Sequence, residues 1–252
     1  MMRTVISEGT TPMVCAPVVG KDEESIFSEL KKILLKNPDI IEWRVDFFED
    51  IGNTDDVVRI GNRLKEIAGA TPIIFTIRAV REGGQQISLS EEDIVNLDIA
   101  ICRETAIEYV DYELSNQLEH MKQLKKAAML YHTKIIGSFH NFDRTPSKEL
   151  LAQKFTEAEQ SGADVAKIAV MPQCLEDVLV LLEATLAAKR RLTIPLITMS
   201  MGGDGAISRI IGGVFGSSLS FAVGAKSSAP GQIPIEDLRT ALAIVERSMG
   251  DK

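Results

Sequence analysis

Cysteine and long apolar runs are scarce in this 252-residue sequence, and each shortage excludes a class of protein. The three cysteines, Cys15, Cys102 and Cys174, are odd in number and far apart, so they form neither a disulfide framework nor a metal-ligand spacing. No stretch approaches the roughly 18 uninterrupted apolar residues that a membrane-spanning helix needs. We therefore expect reduced thiols and no membrane association.

The sequence also has no excess of positive charge and no cofactor-binding motif. The formal net charge is −8, whereas a nucleic-acid surface needs clustered lysine and arginine. The sequence contains no H-E-x-x-H, G-x-S-x-G, G-x-G-x-x-G or G-x-x-x-x-G-K-[ST] motif, so we expect no metal, no nucleotide cofactor and no nucleic-acid partner. The amino terminus, MMRTVISEGTTPMV, has no apolar core of signal-peptide length, which predicts a cytoplasmic protein.

Short β-rich runs alternate with longer amphipathic segments along the whole chain, which is typical of βα units and a parallel sheet. The predicted strands are 13–19, 40–46, 72–78, 107–113, 134–140, 164–170, 195–201 and 218–224. The predicted helices lie near 22–36, 54–69, 90–104, 115–130, 147–161, 174–190, 205–212 and 235–249.

Eight βα units in about 250 residues predict an α/β fold of the (β/α)8 TIM-barrel type, with a parallel eight-stranded sheet. A doubly wound sheet is the alternative, but the even spacing of the units favours closure. We expect one domain over residues 1–252. The first dozen residues are interpreted as an extra strand or a short hairpin that closes the bottom of the barrel.

Charged residues alternate along the second predicted strand. Glu42, Arg44 and Asp46 share one face of this strand because side chains alternate with period two. In a barrel the charged face would point to the mouth, where the active site lies. An edge strand with one solvated face would show the same pattern, so this alternative stays open.

Two further strands end in polar residues. The third ends at Arg78 and continues into a glycine-rich loop that carries Glu82, which an ordinary surface loop would also explain. The fifth ends in GSFH, where Ser138 and His140 point the same way. His132 precedes the end of that strand by roughly 26 Å, so we expect only His140 at the mouth, as a general acid or base or as a structural histidine.

Lys167 interrupts the apolar sixth strand, DVAKIAV. A buried ammonium without a partner is unfavourable, and burial among apolar groups would supply the neutral amine that attacks a carbonyl to form an imine. The alternative is a structural ion pair with Glu42, Asp46 or Asp111 that fills the barrel.

Two loops near the carboxyl terminus are candidates for substrate binding. The glycines of MSMGGDGAISRIIGG and the following helix start, with Arg209, would suit a phosphate or a carboxylate. The segment AKSSAPGQIP is either a lid over the mouth or a plain connector.

Six motifs, taken in order, resemble those of the type I 3-dehydroquinate dehydratases: EWRVD, FTIRAVREGGQ, GSFHNF, DVAKIAVMP, ITMSMGGDGAISR and SSAPGQ. The resemblance runs from about residue 12 to 245. It implies dehydration of 3-dehydroquinate to 3-dehydroshikimate, the third step of the shikimate pathway to chorismate and aromatic amino acids. It also implies an imine on Lys167 and syn loss of water, with His140 as general base and then acid.

The resemblance implies roles for the remaining residues. Glu82 would orient His140, and Arg209 would hold the substrate carboxylate. The ring hydroxyls would be bound by Glu42, Arg44 and Arg78, and the lid residues would be Ser228 and Gln232. A homodimer is implied too. Because the sequence predicts a single barrel, we expect no fusion to a shikimate dehydrogenase of the plant type.

Two positions depart from the family pattern, and two other functions remain as alternatives. Pro17 stands where some relatives place a hydroxyl residue, and Asn141 stands where some carry aspartate. A class I aldolase would use the same imine lysine to cleave a carbon–carbon bond of a sugar phosphate. A ligand-binding barrel without catalysis would keep Lys167 as an ion pair and form no covalent adduct.

Overall fold

The computed structural model describes residues 6, 9 and 11–250 and contains a parallel sheet with helices on its outside. The strands are β1 (Met13–Val18), β2 (Ile40–Arg44), β3 (Ile73–Thr76), β4 (Tyr109–Glu113), β5 (Lys134–Asn141), β6 (Val165–Val170), β7 (Leu196–Ser200), β8 (Leu219–Val223) and β9 (Ile233–Pro234). The helices are α1 (Glu23–Leu34), α2 (Thr54–Ala68), α3 (Glu91–Glu104), α4 (Leu118–Tyr131), α5 (Lys148–Gln160), α6 (Leu175–Lys189), α7 (Gly202–Phe215) and α8 (Ile235–Met249).

The strands follow the chain order around a closed barrel. The sheet order is β7-β6-β5-β4-β3-β2-β1-β8-β9, and all pairs are parallel. Closure between β7 and β8 consists of a bridge at Leu196 and Ser217, with the backbone N–H of Ser218 donating to the Leu196 carbonyl at 2.6 Å. The predicted (β/α)8 barrel is therefore confirmed, and the two-residue strand β9 beside β8 is an addition that was not predicted. The doubly wound alternative is wrong because β1 to β8, as described, follow one another around the sheet in chain order.

The second and third strands are shorter than predicted. After Arg44 the chain turns into a 3-10 helix over Val45–Phe47, and β3 ends at Thr76, with a second 3-10 helix at Val80–Glu82. Beyond the ends of β2 and β3, Asp46 accepts hydrogen bonds from the Arg44 guanidinium and from the backbone N–H groups of Arg78 and Gln85. Asp46 thereby joins the segments that follow the two strands.

Local sequence explains where several helices begin. Asp22 and Ser90 form capping boxes at the starts of α1 and α3, and the Ser147 side chain accepts the Leu150 N–H at the start of α5. Helix α7 begins at Gly202, three residues before the predicted start at residue 205. The glycine-rich segment therefore belongs to the helix.

The apolar core has two layers. Ile41, Trp43 and Phe75 belong to the outer layer between strands and helices, with the Trp43 and Phe75 rings packed edge to face at 5.5 Å. An inner layer fills the lower part of the barrel: Cys15, Ile40, Ile74, Tyr109, Ile136, Val165, Ile197 and Leu219. The charged side chains that line the cavity lie above this inner layer.

Part of the predicted amino-terminal element lies outside the described residues. Ile6 is buried in the inner layer, and its N–H donates to the Tyr109 hydroxyl at 2.8 Å. Residues 1–5, 7, 8 and 10 lie outside the described residues, so the strand or hairpin proposed for the first dozen residues stays a prediction. Among the residues that the structure does describe, the helices are too short or too polar to cross a bilayer.

Candidate active site

Lys167 lies at the centre of the barrel mouth, on β6. Its Nζ donates to Asp111 Oδ2 at 2.8 Å and to Glu42 Oε1 at 3.1 Å, and the residue is 3% exposed. Nζ also lies 4.6 Å from the centre of the Phe221 ring. The expectation that apolar groups surround this amine is wrong, because side-chain alternation in β2 and β4 brings one carboxylate from each strand to it.

Arg78 links the Lys167 ion pairs to the neighbouring strands. Its Nη2 donates to Asp111 Oδ1 at 2.7 Å, and its Nη1 donates to Glu113 Oε1 at 3.1 Å and to Ser138 Oγ at 3.0 Å. Burial acts to raise the pKa of Asp111, but Arg78 and Lys167 outweigh it and hold the pKa well below its usual range. Asp111 is therefore a carboxylate.

His140 and Glu82 form a buried pair beside Lys167. The Glu82 Oε2 atom lies 2.9 Å from His140 Nδ1 and accepts the His140 backbone N–H at 3.0 Å. Burial, together with the positive charges of Arg78 and Lys167, lowers the pKa of His140 well below its usual value, so the imidazole is neutral near pH 7. Because Glu82 lies at Nδ1, the ring proton is assigned to Nδ1 and the lone pair to Nε2.

The strand register explains why the amine and the imidazole meet. Ser138 is the β5 partner of Lys167, and His140 is the partner of Ala169. His140 therefore stands one inward-facing position above Lys167 on the adjacent strand. A substrate held above Lys167 would have its reacting carbons beside the imidazole.

Arg44 is held at the mouth by Asp46. Two hydrogen bonds of 2.8 Å join the guanidinium to both carboxylate oxygens. Asp46 also accepts the backbone N–H groups of Arg78 at 3.4 Å and Gln85 at 3.1 Å. Asp46 thus supports the mouth and does not pair with Lys167, one of the partners considered from the sequence.

Arg209 is a buried cation without a carboxylate partner in the described part of the chain. Its Nη1 donates to the Phe221 carbonyl at 3.3 Å, its Nη2 to the Pro230 carbonyl at 3.0 Å, and its Nε has no partner. Burial lowers its pKa to about 10, so the group is still charged near neutral pH. An uncompensated buried charge of this kind suits an anionic ligand.

The loop between β8 and α8 covers the mouth. Gln232 Oε1 accepts the Ser228 N–H at 3.0 Å, and Gln232 Nε2 donates to Ser228 Oγ at 3.2 Å. The Gly202 N–H donates to the Pro230 carbonyl at 3.3 Å, which attaches the loop to the start of α7. We refer to residues 225–232 as the lid loop.

Most of the predicted site residues line one cavity at the barrel mouth. Every one of them except Arg209 lines its wall, and Arg209 lies behind Met199 and Phe221. The polar wall consists of Glu42, Arg44, Arg78, Glu82, His140, Lys167, Ser228 and Gln232. The apolar wall consists of Gly83, Phe142, Ala169, Met199, Met201, Phe221 and Ala229.

Some contributing residues were missed by reasoning from the sequence. Glu113 binds Arg78 and the Ala79 N–H, and its position on the same face of YVDYE as Asp111 is the signal that could have found it. Of the two departures, Pro17 is the β1 register partner of the site residue Glu42. The Asn141 side chain accepts backbone N–H groups of the next turn.

Fold and site together define a class of protein: a (β/α)8-barrel enzyme with a buried lysine, an imidazole–carboxylate pair and an uncompensated arginine at its mouth. The family model for type I 3-dehydroquinase matches residues 14–249. The chain belongs to the type I 3-dehydroquinase family.

Individual relatives agree over nearly the full length. The 3-dehydroquinate dehydratase of Aromatoleum aromaticum is 48% identical over 97% of this chain and 94% of its own. The crystal structure of 3-dehydroquinate dehydratase from Geobacillus kaustophilus has a TM-score of 0.93 and 51% identity, covering 95% of this chain and 93% of its own. The type I enzyme from Clostridium difficile, solved with covalently modified comenic acid, has a TM-score of 0.90 and 38% identity, covering 94% of this chain and 93% of its own.

Proposed function

We propose that this protein converts 3-dehydroquinate to 3-dehydroshikimate and water through an imine on Lys167. The observation that carries the proposal is the pairing of the buried Lys167 amine with a neutral His140 one position above it on the next strand. Membership of a hydro-lyase family supports the reaction class. A class I aldolase would require a different substrate, and the curated relatives carry the dehydratase name.

The proposed reaction balances with groups at the cavity. The amine of Lys167 attacks the C3 ketone, and water leaves as the imine forms. His140 Nε2 then takes a proton from C2 and returns it to the C1 hydroxyl, which leaves as water on the same face of the ring. Hydrolysis of the product imine returns Lys167. A protonated imine withdraws electrons better than a ketone, so an imidazole suffices as the base.

The carboxylates around Lys167 have a place in this scheme. A protonated imine keeps its positive charge at the nitrogen that now contacts Asp111 and Glu42 at 2.8 and 3.1 Å. The same two carboxylates would therefore stabilise the imine electrostatically. Attack requires the neutral amine, so the Lys167 ammonium would first give one proton to Glu42 Oε1, which lies 3.1 Å from Nζ. That proton, together with a second one from the nitrogen after attack, would leave with the ketone oxygen as water.

Substrate recognition is proposed to use the charged residues around the cavity. Arg209 would bind the substrate carboxylate in place of its present carbonyl partners, because its charge has no counter-ion among the described residues. Arg44, Arg78 and Glu42 would contact the ring hydroxyls. Ser228 and Gln232 of the lid loop would close the cavity and exclude water.

The cellular setting is part of the same proposal. The reaction would supply the shikimate pathway, which leads to chorismate and the aromatic amino acids. The steps described use side chains alone and no metal or nucleotide. We propose a cytoplasmic homodimer whose partner is the small-molecule substrate.

Borohydride trapping tests the imine. Incubation with 3-dehydroquinate and borohydride, followed by peptide mass mapping, is expected to place a reduced adduct on the peptide that contains Lys167. His140→Ala should still form the adduct but lose elimination, whereas Lys167→Met should form none. Turnover by the wild-type protein without any adduct on this peptide would refute the imine mechanism.

A further inference from the structure

Ser115 connects the active site to a loop outside the cavity. It lies between β4 and α4, and its Oγ donates to Glu82 Oε1 at 2.6 Å. The other Glu82 oxygen, Oε2, carries both contacts to His140. The carboxylate is therefore held at both oxygens, and Ser115 holds the one that faces away from the imidazole.

Arg81 fixes the direction of the Ser115 hydroxyl. Its Nη2 and Nε donate to Ser115 Oγ at 3.1 and 3.3 Å. Since these donors occupy the lone pairs of the hydroxyl, the hydroxyl proton is directed to Glu82. Arg81 is itself anchored by Glu113 Oε2 at 3.2 Å and by the Asn116 side chain.

The surroundings of Glu82 show what this hydrogen bond contributes. Burial is the largest influence and raises the pKa of Glu82, and the Asp111 charge acts in the same direction. Arg78, the Ser115 hydroxyl and the His140 N–H lower it. Glu113 on β4 also faces Glu82, and each carboxylate opposes ionisation of the other. Ser115 is thus one of few groups that favour the charged form.

We propose that Ser115 is a positioning residue for the His140–Glu82 pair: its hydroxyl, oriented by Arg81, keeps the Glu82 carboxylate available to accept the Nδ1–H of His140. The inference rests on the proposed function, in which neutral His140 acts as the base. Ser115 lies outside the six motifs of the family and outside the cavity wall. It acts through Glu82 and does not touch substrate.

The test compares the pH profiles of kcat for Ser115→Ala, Ser115→Thr and the wild-type enzyme. Removing the hydroxyl raises the pKa of Glu82, so the carboxylate is lost at a higher pH and the acid limb moves upward. We expect a shift of about one pH unit, since a hydrogen bond to a charged group corresponds to roughly that change. Ser115→Thr should restore the profile, and KM should change by less than about twofold because binding groups are untouched.

Two other variants separate positioning from general structural effects. Arg81→Met keeps the hydroxyl but removes its orienting cation, so a smaller shift in the same direction is expected. Ser161→Ala removes a hydroxyl that donates only to the Ala158 carbonyl at the end of α5, and its profile should match the wild type. An unshifted acid limb in folded Ser115→Ala enzyme overturns the inference.

A measurement without turnover distinguishes this inference from the proposed function. In ¹⁵N-histidine NMR spectra, the Nδ1–H signal of His140 should move toward a weaker hydrogen bond in Ser115→Ala and return in Ser115→Thr. An unmoved signal refutes the role of Ser115 whatever the activity. Absence of 3-dehydroquinate turnover by the wild-type protein refutes the proposed function and leaves the NMR result to decide about Ser115.

Discussion

Arg209 differs from the other arginines of the site in what surrounds its charge. Arg44 and Arg78 are bound to carboxylates at 2.7–2.8 Å, whereas Arg209 contacts carbonyl groups in the described part of the chain. Asp46 and Asp111 already neutralise the first two charges. An anionic substrate would therefore find its main electrostatic partner in Arg209.

Replacing Arg209 by methionine tests this difference. We expect kcat/KM for 3-dehydroquinate to fall about 10- to 100-fold, because hydrogen bonds to a charged group contribute about 1.5–3 kcal/mol. The melting temperature should not fall in proportion, since the substitution also removes an uncompensated buried charge. Arg209→Lys is the matched control and should recover part of kcat/KM. A Met variant with wild-type kcat/KM would contradict the carboxylate-binding role.

At the scale of elements, the lid loop depends on a glycine at its contact with α7. Gly231 has φ +74°, and a Cβ atom at this position would lie 2.1 Å from the Gly202 carbonyl oxygen. The neighbouring Pro230 carbonyl accepts hydrogen bonds from both Gly202 and Arg209. Close packing of the lid loop against α7 is thus possible only without a side chain at residue 231.

Gly231→Ala should lift the lid loop from α7. Because Ser228 and Gln232 then no longer close the cavity, kcat/KM is expected to fall about 10- to 100-fold, as for other small misplacements of binding groups. Stability should change little, since much of the loop is exposed. Gly203→Ala is a suitable control, because its Cβ would meet no atom within 4 Å. Equal kinetics of the two variants would rule out the packing argument.

At the scale of the whole molecule, the residues that stabilise the barrel and the residues proposed for the chemistry lie at opposite ends of the barrel axis. The lower part is filled by the apolar inner layer, and the upper part carries the ionisable residues. Tyr109 and Asp111 illustrate the division, since they are inward-facing neighbours on β4: Tyr109 accepts the Ile6 N–H at the bottom, and Asp111 binds Lys167 above.

Tyr109→Phe tests this separation. Loss of the hydroxyl leaves the buried Ile6 N–H without its acceptor, so the free energy of unfolding in urea should fall by about 1–3 kcal/mol. Activity on 3-dehydroquinate should stay within about twofold, since barrel chemistry sits at the opposite end. Tyr131→Phe, at a residue that is 38% exposed, should change neither quantity. A large loss of activity in Tyr109→Phe would show that the two ends are coupled.

The fold class, the inward-facing residues of β2 and the family were all predicted from the sequence alone. The alternation of βα units determined the barrel, and period-two alternation placed Glu42 and Arg44 inside and Trp43 outside. The six motifs identified the family before any geometry. These properties are readable because they depend on local periodicity and on short segments whose order is preserved along the chain.

Only the tertiary structure decided which charges pair. Lys167 and Glu42 are 125 positions apart, and Ser115 and Glu82 are 33 apart. Period-two alternation determines which face a side chain occupies, but its height and its neighbours depend on strand register and on the closure of the barrel. For the same reason the sequence left open whether carboxylates contact Lys167, and it could not show that the buried Arg209 has no carboxylate partner among the described residues.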